Sequence, residues 1–108
     1  MVPFDVFLSR LKQEFKSAPE SNPGERVLQV ENWTRDGRGA RSVFNVYWSG
    51  GETFRWKGAN FARAEIEKVY NVWQDYITGR VGRGSIRDTV WNTKPIFSLF
   101  KKFEHHMR

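Results

Sequence analysis

Within the block from residue 26 to 57, the stretches RSVFNVYW and ETFRWK set large apolar side chains at every second position, and on both sides of that block they recur at every third and fourth. A period of two belongs to a strand with one buried face, and a period near 3.6 to an amphipathic helix. The two periods do not alternate along the chain, which argues against repeated strand–helix–strand units. What remains is an α+β architecture, with one block of strands covered by helices from its two ends.

Phe4, Phe7, Leu8, Leu11 and Phe15 form the stripe of a first helix, with Arg10, Lys12, Gln13 and Glu14 off it and Pro3 tolerated in the first turn. The segment SAPESNPGE, with two prolines and a glycine, ends it. Three strands are predicted next, RVLQVENWT, RSVFNVYW and ETFRWK, as a three-stranded antiparallel β-meander with a hairpin-type turn at Asp36-Gly37. Phe44, Val46 and Trp48 share one face of the second strand, and Phe54 and Trp56 one face of the third. A two-residue Gly50-Gly51 loop would set Tyr47 beside Phe54 and mix the faces. A three-residue loop, Ser49-Gly50-Gly51, pairs Val46 with Phe54 and Phe44 with Trp56, and puts Gly51 in the left-handed region.

The C-terminal half reads as a long helix over 60–78, a short helix and a last helix, all packed on one face of the sheet. Asn60 is the expected N-cap of the long helix and Gly79 its stop. Ala62, Ile66, Val69, Tyr70, Trp73, Tyr76 and Ile77 make its buried stripe. Ser85-Ile86-Arg87-Asp88 has the form of a capping box, which starts the short helix at Ile86. A turn at 91–93 leads to the last helix, with Pro95 in its first turn and Ile96, Phe100 and Phe103 on its core stripe. The 108 residues are read as one compact domain.

Composition then narrows the function. The formal net charge is +6, and from Gly79 to Lys102 six bases face a single acid, Asp88. A basic cluster of this kind favours an acidic partner, nucleic acid first. Nine Phe, five Trp and three Tyr exceed what one small core is expected to hide, so some should anchor an interface, and a homodimer is expected. The absence of cysteine excludes disulfides, thiol nucleophiles and cysteine-ligated zinc. The N-terminus carries neither a signal-peptide pattern nor a membrane-length apolar run, so a cytoplasmic protein with no membrane role is expected.

The order short helix, tight turn, helix resembles a helix-turn-helix unit, whose last helix would enter a DNA groove by its N-terminal end. That resemblance puts Asn92, Thr93, Lys94, Ser98, Lys101 and Lys102 outward, with Asn92 and Thr93 positioning or reading bases. Arg80, Arg83 and Arg87 add phosphate contacts, and the loop 79–84 offers backbone amides. It lacks the Lys-Ser/Thr ending of a nucleotide-binding loop. A second surface is expected on the outer sheet face, where Tyr47 with Arg55 and Lys57 suits stacking and charge, unless a helix covers it. Catalysis has no comparable pattern. His105 and His106 are adjacent in what reads as a frayed tail, Glu65 and Glu67 face different ways, and Glu14-Phe15-Lys16 has no acidic partner. The sequence therefore points to non-catalytic nucleic-acid binding, DNA ahead of RNA, with no cofactor and no metal. The alternatives are a protein–protein interaction module and a homodimeric small-ligand protein with a Trp- and Tyr-lined pocket between sheet and helices.

Overall fold

The computed structural model describes residues 1–108 and is α+β. Helix α1 (Phe4–Lys16) precedes five strands, β1 (Glu20–Asn22), β2 (Glu25–Glu31), β3 (Val43–Trp48), β4 (Thr53–Trp56) and β5 (Ala59–Ala62). Helices α2 (Arg63–Ile77), α3 (Arg83–Arg87) and α4 (Thr93–Lys102) follow, and a closing 3-10 turn spans Glu104–Met107. The strands form one antiparallel meander in the order β1-β2-β3-β4-β5. The expected three strands are its centre, and a short strand is added at each edge.

Both additions come from two-residue turns. Pro23-Gly24, with Gly24 at φ 78°, turns β1 back onto β2. Lys57 and Gly58 both have positive φ, 50° and 77°, the backbone of a type I′ hairpin. That hairpin pairs Phe54 with Phe61 and Arg55 with Asn60. Asn60 is therefore a strand residue rather than an N-cap, and α2 starts three residues later than expected. The Glu65 carboxylate reaches back to accept from the Ala62 N–H at 3.3 Å at the true start of the helix. The predicted cap at Ser85 also moves, because α3 begins at Arg83 and Ser85 lies inside it.

The faces of β3 and β4 are as expected, but their register is not. Trp48 pairs with Phe54 and Tyr47 with Arg55, two residues away from the expected pairing. A shift of two keeps every side chain on its own face. The positive φ falls on Gly50, at 101°, and not on Gly51. Gly50→Val is accordingly expected to cost about 1–3 kcal/mol, the penalty of a non-glycine residue held in a glycine region. Gly51→Val, whose added carbon would meet nothing within 4 Å, is expected to change stability by less than ~0.5 kcal/mol. Urea unfolding of the two variants reverses in order if the expected register holds instead.

All nine phenylalanines are buried, together with Trp48, Trp73, Tyr70 and Tyr76. Phe15 from α1 packs on Trp48 and Phe54 of the inner sheet face, at 6.1 and 5.2 Å between ring centroids. Tyr70 of α2 stacks on Phe7 and meets Phe100 of α4 edge-on. This corrects the expectation of surplus aromatics: one core holds most of them, and Trp91 alone among the aromatics is fully exposed. The space between sheet and helices is filled by these rings, so the expected Trp- and Tyr-lined ligand pocket does not form there. The C-terminal turn is no frayed tail either. Met107 is buried, its carbonyl accepts from the Val2 N–H at 2.7 Å, and Arg10 donates to the carbonyls of His106 and Arg108. No helix is long and apolar enough to cross a membrane.

Candidate nucleic-acid interface

Helix α4 does not have the free face that a groove-reading helix needs. Thr93 and Pro95 through Phe100 are all buried, because the segment TKPIFSLF is apolar on nearly every side and such a helix belongs inside. Thr93 is 3% exposed and Ser98 1%, so neither points outward as expected. The Ser98 hydroxyl accepts instead from the Trp33 backbone N–H at 3.0 Å, tying α4 to the β2–β3 connection. Asn92 donates to the Asn60 carbonyl and the Glu65 carboxylate, a pin between the α3–α4 turn and the sheet edge. Lys94 lies half-buried over Phe44 and Trp56.

The remaining predicted cations divide between two places. Arg83, Lys101 and Lys102 come together with the eleven-residue connection 32–42, where the expected strand ends at 32–34 and 41–42 are not strand, so that the turn expected at 35–40 widens into a longer loop. Its internal bonds give it a fixed shape. The Asn32 side chain donates to the Ala40 carbonyl at 2.9 Å, and the Thr34 hydroxyl accepts from the Gly39 N–H at 2.9 Å. A side chain at Gly39 would stand 2.4 Å from Thr34, so the close approach requires glycine. The Asp36 carboxylate accepts from the Arg38 N–H at 2.9 Å. That bond, ahead of the nearby Arg38 charge, holds the Asp36 carboxyl below its ordinary range, so it is ionised at neutral pH.

Arg35 anchors the connection to the helices. Its Nη1 donates to the carbonyls of Tyr76 (2.6 Å) and Val81 (2.9 Å), and its guanidinium lies 4.7 Å from the centre of the Tyr76 ring. Those carbonyls belong to the C-terminal end of α2 and the segment after it, where unpaired acceptors are expected. Arg83, on α3, lies 5.3 Å from the centre of the Phe97 ring, and its buried Nε has no hydrogen-bond partner. Arg35, Arg38 and Arg83 thereby line one open depression of about 340 Å³ whose only acid is Asp36.

Two adjoining depressions continue it along the connection, adding Arg41 beside the loop and Lys101 and Lys102 beside Trp33. The whole strip carries six bases and two acids, Glu31 and Asp36. Among the six, only Lys101 has an acidic partner, Glu104 at 3.1 Å. The three arginines of the connection were legible as a basic, glycine-rich run, RDGRGAR, which was the one local signal for them.

Arg80, Arg87 and the second surface lie outside this strip. Arg80 is exposed and faces Asp75 at 3.6 Å, while Arg87 is exposed at the end of α3. On the outer sheet face Arg55 does stack over Tyr47, at 4.1 Å, and no helix covers that face, since Gln29, Val43, Asn45 and Thr53 are exposed. The Arg55 charge is already engaged, however. Glu25 accepts from it at 3.0 Å, and Arg55 is the leading reason the Glu25 carboxyl titrates below its usual range. Lys57 is not beside Tyr47 as expected; it sits in the β4–β5 turn over Trp56. Compared with known proteins, the chain matches no family model, no curated protein and no solved structure.

Proposed function

We propose that the protein binds nucleic acid without acting on it chemically, holding the phosphate backbone of DNA in the strip between the connection 32–42 and helices α2 to α4. One observation carries this reading: Arg35, Arg38 and Arg83 line one depression, and none of them is ion-paired. Aromatic rings and backbone carbonyls hold Arg35 and Arg83, which leaves guanidinium donors free for the bidentate geometry that phosphate accepts. Phosphate contacts position a protein without reading sequence, and α4 offers no exposed edge for bases. Binding is therefore expected to be indifferent to sequence. Duplex DNA, with one charge per ~1.7 Å of axis, suits a strip of six cations.

Fluorescence anisotropy of a labelled random-sequence duplex tests the proposal. Affinity is expected to fall steeply with salt, with a log–log slope of at most about −5 if all six cations displace counterions. No binding at ~50 mM salt, where such contacts are strong, would reject it. Asp36→Asn keeps the acceptor for the Arg38 N–H and removes the one acid in the depression. It is expected to tighten duplex binding by up to about fivefold, the effect of one charge at ~4 Å in water.

A further inference from the structure

Trp91 is 94% exposed, in a protein that buries every phenylalanine it has. An isolated apolar side chain at a surface is ordinary, but the backbone beneath this one is unusually fixed. Val90 before it is 1% exposed and Thr93 after it 3%. Asn92 is bonded to Asn60 and Glu65 across the sheet edge, and the Thr89 hydroxyl donates to the Ile86 carbonyl at 3.2 Å. The indole is thus held out into water from a turn pinned on both sides. Of the cations nearest to it in sequence, Arg87 is exposed with no carboxylate partner and Lys94 lies over Phe44 and Trp56, while Asp88 is the acid of that turn and Glu65 is bonded to the neighbouring Asn92.

We infer that Trp91 is a stacking platform for an unpaired base, so that the protein grips single-stranded nucleic acid at a second point beyond the phosphate strip. The inference rests on the nucleic-acid reading above and extends it from backbone charge to base contact. Aromatic side chains beside cations are how single strands are held without sequence preference, because every base offers a π face. Stacked bases in a duplex do not offer theirs. The spacing suits a strand. Arg83 and Trp91 are joined by the one-turn helix α3 and the turn that follows it, so their Cα atoms are at most about 20 Å apart. A strand of a few nucleotides spans that length, within the ~4–16 nucleotides that single-strand sites occupy. A protein partner would also use an exposed tryptophan, but the exposed, unpaired Arg87 four residues before it and the chain's net charge of +6 favour a polyanion.

The experiment compares wild type with Trp91→Ala and Trp91→Phe on three labelled probes of about twenty units, long enough for one such site. These are oligothymidylate, its duplex with oligodeoxyadenylate, and an abasic strand with the same phosphates and no bases. Trp91→Ala is expected to melt as wild type does and to bind oligothymidylate about 5- to 150-fold more weakly, the range for losing one stacked base. Trp91→Phe is expected to recover most of that loss. Duplex affinity should be the same in all three proteins, and wild type should bind the abasic strand no better than Trp91→Ala does. Equal binding of oligothymidylate by wild type and Trp91→Ala overturns the inference and leaves the phosphate strip standing. Failure of wild type to bind any probe overturns both. A change in oligomeric state on Trp91→Ala, read by light scattering, with no change in binding also overturns it and makes Trp91 a protein anchor.

Discussion

Trp73→Ala is expected to remove about 3–5 kcal/mol of folding stability, the range for deleting a large aromatic from a packed core. A protein of this size has ~5–15 kcal/mol in total, so the variant should lie close to unfolding. Trp73 is 0% exposed and lies where α2, α4 and the connection 32–42 converge. Its ring is 5.3 Å from Phe100, 5.7 Å from Trp33, 5.9 Å from Tyr76 and 6.1 Å from Phe97. Truncation opens a space that four rigid rings on three different elements cannot fill together, so little of the cavity collapses. Trp73→Phe provides the contrast. The buried Trp73 Nε1 has no hydrogen-bond partner, so removing it also removes an unsatisfied donor, which offsets part of the lost packing. The phenylalanine variant should therefore lose clearly less than the alanine one, in urea unfolding followed by circular dichroism. A loss under ~1.5 kcal/mol for alanine, the scale of a tolerated volume-conserving swap, would mean that the cluster is not the keystone of the core. The same substitution bears on binding, because Trp33 rests on Trp73 and carries the connection with it. Below its unfolding transition, Trp73→Ala should still bind duplex DNA more weakly.

Which parts of this arrangement the sequence discloses follows from what periodicity can encode. The stripe of α1 is complete in the residues Phe4, Phe7, Leu8, Leu11 and Phe15, all of them buried. The alternation of β3 fixes its faces, with Phe44, Val46 and Trp48 inside. The same alternation is blind to a slip of two, because either register keeps the faces. Only the turn decides, and a stretch with adjacent glycines at 50 and 51 gives two candidates for the positive φ. Strand β5 has four residues, too few for a period to stand out, and its apolar positions fit the start of the long helix equally well. The signal that separates them is Lys57-Gly58, which needs two positive φ angles and is weakly marked when the first residue is lysine.

The site was harder to see than the fold for a different reason. Arg83, Lys101 and Lys102 stand out as charge, but what assembles them with Arg35 and Arg38 is a set of contacts far apart in sequence. The bonds from Arg35 to Tyr76 and Val81 and from Trp33 to Ser98 span about half the chain. No local pattern reports such contacts. Helix α4 is the converse case. Ile96, Phe100 and Phe103 suggest one stripe and a free opposite face, yet Phe97 and Leu99 widen that stripe on both sides, and Ser98 on the far side is buried against Trp33. An all-round apolar segment marks a central helix, and counting those two residues removes the groove-reading geometry that the short helix, turn and helix suggest.

Reversing Arg38, Arg83 and Lys102 to glutamate is expected to weaken duplex DNA binding by about three orders of magnitude at ~50 mM salt. Each charge-assisted contact contributes at least ~1.5 kcal/mol, which is about tenfold in affinity, and three are lost. The salt dependence should flatten with them, by about 0.9 in log–log slope for each phosphate no longer neutralised. Three reversals of two charges each take the formal net charge from +6 to 0, and net charge alone steers DNA association. The control is therefore Lys16, Lys57 and Lys68 reversed to glutamate, which reaches the same net charge from exposed positions outside the strip. Stability must be followed alongside, because Arg83 rests on the Phe97 ring and a glutamate there loses that contact. Arg83→Gln, uncharged but long enough to cover the ring, separates lost charge from lost packing. If the strip holds the phosphate backbone, the control variant keeps most of the wild-type slope while the strip variant loses about half of it, since three of six cations are gone. Equal losses in the two triple variants would mean that DNA responds only to total charge, and the arginine-lined depression would then have no special part in binding.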